Sequence, residues 1–231
     1  DIIVDKHDKV KVHKIYIDGN NVLSDNAIQR AMKKTNEKNK LVNLFRQKKF
    51  VESDYNDDLN RIIQKYNEKG YRDAKILTDS VVKYDDKTVD VYISLEEGNQ
   101  YFISDIQWVG NTIYDTDMLN AILGIKPGEV YNQKLLTERT ETDDDAVSNL
   151  YMNNGYLFYQ MVPIEKNIKG DSIALEMRLF EGPQARINKV IINGNDRLYE
   201  KVIRRELRVK PGELFSKNDL MRSAREIAQT G

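Results

Sequence analysis

A chain of 231 residues has room for one large domain or for two or three small ones. Its 36 basic and 37 acidic residues leave a net charge of −1, which gives no overall case for nucleic acid or an anionic membrane, and the absence of cysteine excludes disulfides and thiolate metal sites. Mean hydropathy is −0.64, no stretch approaches the ~18 continuous apolar residues that span a bilayer, and the opening Asp1-Ile2-Ile3-Val4-Asp5 is not a signal peptide.

Residues 1–9 read as a lead-in. At about 12–17 the period-2 positions Ile15 and Ile17 run into Gly19-Asn20, a strand that ends in a turn. Ser24 stands where a side-chain oxygen can satisfy an orphan amide, so a short helix is predicted over about 24–35. The segment Lys38–Phe50 mixes Leu41, Val42 and Leu44 with Phe45, Arg46, Lys48, Lys49 and Phe50. It reads either as a basic-aromatic surface for a partner or lipid headgroups, or as apolar residues folded under the helix pair. A second helix is predicted over about 53–69, because Tyr55, Leu59, Ile62, Ile63 and Tyr66 share one face of a 3.6-residue period and Gly70 can end it in a left-handed conformation. Two strands close the unit, at about 72–84 and 88–95, joined by Asp85-Asp86-Lys87. The last strand alternates, with Val89, Val91, Ile93 and Leu95 on one face and Thr88, Asp90, Tyr92 and Ser94 on the other.

The whole unit then repeats. Val89, Val91, Ile93 and Leu95 recur as Ile173, Leu175, Met177 and Leu179, each pair 84 positions apart. Tyr66-x-x-x-Gly70-Tyr71 recurs as Tyr151-x-x-x-Gly155-Tyr156, Glu97-Gly98 as Glu181-Gly182, and Lys126-Pro127-Gly128-Glu129 as Lys210-Pro211-Gly212-Glu213. Strand-to-turn openings stand at Gly19-Asn20, Gly110-Asn111 and Gly194-Asn195, so first strands are predicted at about 102–109 and 186–193 as well. The expected organisation is α+β: tandem β-α-α-β-β modules at 10–98, 99–182 and 183–231, each a three-stranded mixed sheet covered on one face by two helices. The helix pair between strand 1 and the hairpin suits parallel pairing of strand 1 with one hairpin strand. The first copy has a longer inter-helix segment and lacks Lys-Pro-Gly-Glu. The third stops after its second helix, so the chain is expected to be a piece of a longer protein. The joints between copies are short and are not Gly/Ser linkers.

Pro163 falls inside the second strand of the second copy, predicted at about 156–166. Proline has no N–H for a central ladder, which makes strand 2 an edge. An open edge can take an extended segment as an added strand, so the candidate binding residues are Asp73, Lys75, Ile76, Thr78, Val81 and Lys83 in the first copy and Tyr159, Met161 and Ile164 in the second. The plain alternative is an ordinary edge blunted by Lys83, Lys166 and Pro163. Catalytic chemistry finds little support. Two histidines, His7 and His13, make no zinc pattern; Asp143-Asp144-Asp145 reads as the solvated face of a helix; Gly110-Asn111 reads as a turn and Trp108 as a core residue of strand 1. No catalytic residue, metal or cofactor is assigned, and the chain is read as not an enzyme.

The strand-Gly-Asn opening, the Lys-Pro-Gly-Glu-x-Tyr/Phe step, the Gly-Tyr after helix 2 and the Glu-Gly exit together resemble POTRA (polypeptide-transport-associated) modules. The run from Lys189 through Ser216 resembles those of outer-membrane protein assembly factors, of a Bacteroides-like type. The resemblance covers the chain from about residue 10. It implies the periplasmic face of the outer membrane, a scaffold without nucleotide or cofactor, a β-barrel C-terminal to these modules, and unfolded outer-membrane proteins and accessory lipoproteins as partners. Rival readings are the arm of a two-partner secretion or translocation-assembly transporter, and a periplasmic ligand-binding or enzymatic α+β repeat protein.

Overall fold

The computed structural model describes residues 10–38, 49–194 and 199–229. Packing divides the chain into two compact units: Asp1–Phe102 with Val130–Lys134, and Ile103–Glu129 with Leu135–Gly231.

In the first unit the elements are β1 (Lys11–Asp18), α1 (Asp25–Ala31), α2 (Glu52–Asn67), β2 (Lys75–Asp85) and β3 (Thr88–Glu96). The sheet order is β1-β3-β2, with β1 parallel and β2 antiparallel to the central β3. The expected mixed sheet is therefore present, and strand 2 is an edge. Ser24 caps α1 through its side chain, which accepts from the Ala27 amide. Helix α1 ends four residues before its predicted limit because Asp58, fully buried on α2, accepts from the amides of Lys33, Lys34 and Thr35 and draws that segment out of the helix. One core joins Val12, Ile15, Ile28, Met32, Tyr55, Ile62, Tyr66, Val91, Ile93 and Leu95. At ~25 cal/mol per Å² of apolar surface, burying such side chains dominates the stability of the unit.

The second unit contains β4 (Phe102–Val109), α3 (Thr116–Leu123), α4 (Gln133–Thr137), α5 (Val147–Met152), β5 (Gln160–Lys169) and β6 (Ser172–Phe180), followed by α6 (Glu200–Glu206) and α7 (Lys217–Gln229). Its sheet order is β4-β6-β5, which repeats the first topology. Trp108 packs against the core of Leu119, Val147, Tyr151 and Tyr159 and donates 2.7 Å to Asn120.

Two expectations are corrected in this unit. The second helix is not continuous. It passes from α4 through a π-helical turn at Glu138–Thr142 and restarts at Val147. Asp143 and Asp145, at the surface, pair with Arg139, which also donates to the carbonyls of Ile122 and Leu123 at the end of α3. The acidic run is thus part of a helix break, where two of its carboxylates hold the arginine that caps α3. The strand predicted at 186–193 does not form beyond a bridge at Arg186. The first strands of the two complete modules form their ladder with the last strand of their own module, and the third copy has none within these residues.

Candidate docking edge

A three-stranded sheet with the last strand central has two outer edges, and the sequence motifs treat them differently. The start of each first strand is covered. In the second copy Ile103 donates 2.8 Å to the Glu129 carbonyl and receives from Gly128 at 2.7 Å, and Tyr131 donates 2.8 Å to Tyr101. The third copy repeats this: Ile187 donates to Glu213 at 2.9 Å and receives from Gly212 at 2.7 Å, and Phe215 donates 2.9 Å to Ala185. The recurrent Lys-Pro-Gly-Glu-x-Tyr/Phe step is therefore a strap along that edge. Its glutamate closes the turn by accepting from the lysine amide, at Lys126 and again at Lys210. The first copy lacks the motif and covers β1 by other means. Lys38 donates 2.9 Å to Val12, Phe50 donates 2.8 Å to Val10, and the buried Glu37 carboxylate accepts 3.0 Å from the Ile15 amide.

The other edge, β2, carries no such cover among the described residues. Every residue from Leu77 to Asp85 is exposed, including Val82 at 50% and Tyr84 at 58%. Monomeric proteins usually blunt an apolar edge of this length. Here the blunting is confined to the charges of Lys75, Asp79, Lys83 and Asp85 and to register shifts near the two ends of the strand, which leave Val81 and Val82 on an open stretch. The solvent face of the sheet continues the apolar character. Tyr84 stacks on His13 at 3.8 Å, Tyr16 on Tyr92 at 4.8 Å, and His13 shares a 2.8 Å hydrogen bond with Asp90.

The predicted edge residues separate on this geometry. Lys75, Ile76, Thr78, Val81 and Lys83 lie in β2, and Met161 and Ile164 in β5. Asp73 lies in the turn before β2, where it accepts 2.6 Å from the Tyr101 hydroxyl. Tyr159 precedes β5, is buried, and stacks on Tyr151 at 4.3 Å. Both strands start three or four residues later than their alternation suggested, because Gly70-Tyr71 and Gly155-Tyr156 are followed by a further turn. Of the basic-aromatic segment, Phe45, Arg46 and Lys48 lie outside the described residues. Lys49 is exposed, and Phe50 is half-buried against Tyr55 at 5.6 Å.

The exit of each central strand is held by an acidic residue that the sequence marked only as a repeat anchor. Buried Glu97 accepts 2.8 Å from the Val22 amide and 2.8 Å from the Tyr66 hydroxyl. Glu181 does the same with the amides of Thr112 and Ile113, at 2.9 and 3.1 Å, and with the Tyr151 hydroxyl at 2.8 Å. Each carboxylate ties the exit of the central strand to the turn after the first strand and to the end of helix 2. Burial alone would push the Glu97 carboxyl up. The Val22 amide, the Tyr66 hydroxyl and the amides of Asn21 and Leu23 outweigh it and hold the group below the usual carboxylate range. Glu181 is lowered in the same way, against its burial, by Thr112, Ile113 and Tyr151. Among the described residues no group of three or more His, Cys, Asp or Glu could hold a metal ion, and no helix is long and apolar enough to cross a membrane.

Two repeated β-α-α-β-β sheets, each latched by a Glu-Gly exit, are the features of one protein family. The chain belongs to the POTRA family: the model described as surface antigen variable number repeat matches residues 10–98, 101–182 and 185–231. Over 234 residues, the whole of this chain, it is 26% identical to the outer membrane protein assembly factor BamA of Neisseria meningitidis serogroup B, covering 29% of that protein. It is 29% identical over 170 residues to a putative outer membrane protein assembly factor of Treponema pallidum, covering 70% of this chain and 20% of that one. In fold it resembles the crystal structure of Haemophilus influenzae BamA POTRA3-5, with a TM-score of 0.75 at 18% identity over 96% of this chain and 86% of that one. The chain spans between 20% and 34% of the length of the curated relatives it matches.

Proposed function

We propose that this chain is a periplasmic scaffold of an outer-membrane β-barrel assembly machine, without catalytic activity, and that it docks unfolded outer-membrane proteins and accessory subunits by β-augmentation at β2. The observation that carries the reading is the asymmetry of the first sheet: β1 is strapped at its start, while the eleven residues of β2 present an exposed edge. Backbone pairing is indifferent to most side chains, which suits a surface that must accept many clients. Similarity to assembly factors named BamA supports the setting.

The register chooses the test. Pro163 sits opposite Met177 in β5–β6, and Asp79 sits opposite Ile93 in β2–β3. Ile93 and Met177 are repeat equivalents, so Asp79 and Pro163 are too. Proline is tolerated at an edge only where its nitrogen points outward. Two residues on from Asp79, the Val81 amide therefore also points to the open edge. Val81→Pro is expected to weaken capture of a fluorescein-labelled extended peptide of alternating polar and apolar residues by about tenfold. Asn60→Ala, on the exposed surface of α2, is the control. Equal affinities for the two folded variants would sink the proposal.

A further inference from the structure

The helix side of the first unit holds a recess that edge docking leaves unused. It is a groove of about 500 Å³ whose lining includes Ala27 and Ala31 of α1 and Arg61, Gln64 and Lys65 of α2. Five cations line it, Arg30, Lys33, Arg61, Lys65 and Lys134, against one carboxylate, Glu68. Lys65 and Lys134 both turn to Glu68, at 2.8 and 3.1 Å, and Arg61 turns to buried Asp58. The side chains of Arg30 and Lys33 form no ion pair among the described residues. A chain with net charge −1 has thus gathered a local positive excess in one concave place.

The repeat supplies an independent observation. In the second unit a groove of about 510 Å³ is lined by Asn149, Asn153 and Asn218, which answer Gln64, Glu68 and Lys134 at offsets of 85, 85 and 84 residues. There too cations outnumber carboxylates, with Lys217, Arg222 and Arg225 against Asp144. The same repeat positions line a basic recess in both units although the cations come from different places in the sequence.

We infer that the helix-side groove of the first unit binds an acidic polypeptide segment of a partner, separately from the strand docked at β2. Concavity decides between anionic partners: a bilayer is flat and meets protruding cations, whereas a recess of this size takes a few residues of a narrow chain. Guanidinium and ammonium groups on both walls match side-chain carboxylates, and Arg30 can engage one bidentately.

The test uses the whole chain and a fluorescein-labelled deca-glutamate peptide, read by anisotropy, with phosphatidylglycerol vesicles in a parallel sedimentation arm. Binding of the peptide is expected, weakening as salt is raised. Arg30→Glu combined with Lys33→Glu, two exposed side chains outside the core, is expected to weaken it by roughly tenfold or more. The milder pair Arg30→Gln and Lys33→Gln, expected to give a smaller loss, replaces it if circular dichroism shows the first variant unfolded. An unbound peptide, or one indifferent to both variants, overturns the inference. So does vesicle binding that depends on Arg30 and Lys33 while the peptide fails to bind.

Discussion

The Tyr66 hydroxyl donates a 2.8 Å hydrogen bond to the Glu97 carboxylate, closing the last turn of α2 onto the exit of β3. Neither group can turn to water, since Tyr66 is 0% and Glu97 8% exposed. Glu97→Ala leaves a buried hydroxyl and the Val22 amide unpaired and is expected to cost about 2–3 kcal/mol. Tyr66→Phe removes one donor and leaves the carboxylate its amide partners, for about 1 kcal/mol. Urea unfolding of the two single variants and the double one measures this, and a double-variant loss close to the Glu97→Ala loss confirms that the two residues act as one.

The same carboxylates set a pH dependence. The folded pKa values of Glu97 and Glu181 lie below their ordinary values, so the folded state binds fewer protons than the unfolded state in acid. Their contribution is complete above the unfolded carboxylate value of ~4.3 and is lost as pH falls through the lower folded values. Stability measured from neutral pH downward is therefore expected to drop below that point. The combined Glu97→Gln and Glu181→Gln variant, less stable at neutral pH, is expected to show a shallower fall.

Gly19 is needed for two reasons that can be separated. Its φ is +87°, and a Cβ there would lie 2.0 Å from the Leu95 carbonyl oxygen. Gly128 has a φ of +90° with nothing within 4 Å of the same position. Strain alone is worth about 1–3 kcal/mol at either site. Gly19→Ala is expected to destabilise by clearly more than Gly128→Ala, read as the difference in urea midpoint, because only the first also pushes the first strand off the central one.

At equivalent register positions the two edges differ in one outward donor. In β5 Pro163 removes an outward N–H that Asp79 keeps in β2. If strands dock there, Pro163→Val is expected to strengthen capture of an extended peptide at the second sheet by about three- to tenfold, and peptide binding of the isolated variant compared with the parent chain checks it.

Much of the architecture was legible because it repeats. Eighty-four-residue offsets between Val89 and Ile173, or Glu97 and Glu181, expose the modules without any knowledge of their folding. Pro163 located the edge from a single missing hydrogen. Strand limits were less legible, since Asp73 and Tyr159 continue an apolar-polar alternation that the turns after Gly70 and Gly155 interrupt. The helix break at Asp143 was hidden for a different reason. Three consecutive acidic residues read as solvated, and they are at the surface, but only the fold takes them off the helix and brings Arg139 to two of them. Likewise nothing in Lys-Pro-Gly-Glu announces a strap, because the strand it covers lies more than twenty residues earlier.

The central position of the last strand governs the order in which a module can come into being. β1 and β2 touch no common ladder until β3 lies between them, and β3 is the last of the three in the chain. The β2–β3 hairpin can close locally across Asp86-Lys87, whereas loop closure over most of a module must precede the parallel β1–β3 pair, which makes that pair the late event. In a POTRA array emerging from its N-terminus, the parallel pair of each module would therefore form only on arrival of a final strand, just ahead of the glutamate that latches it.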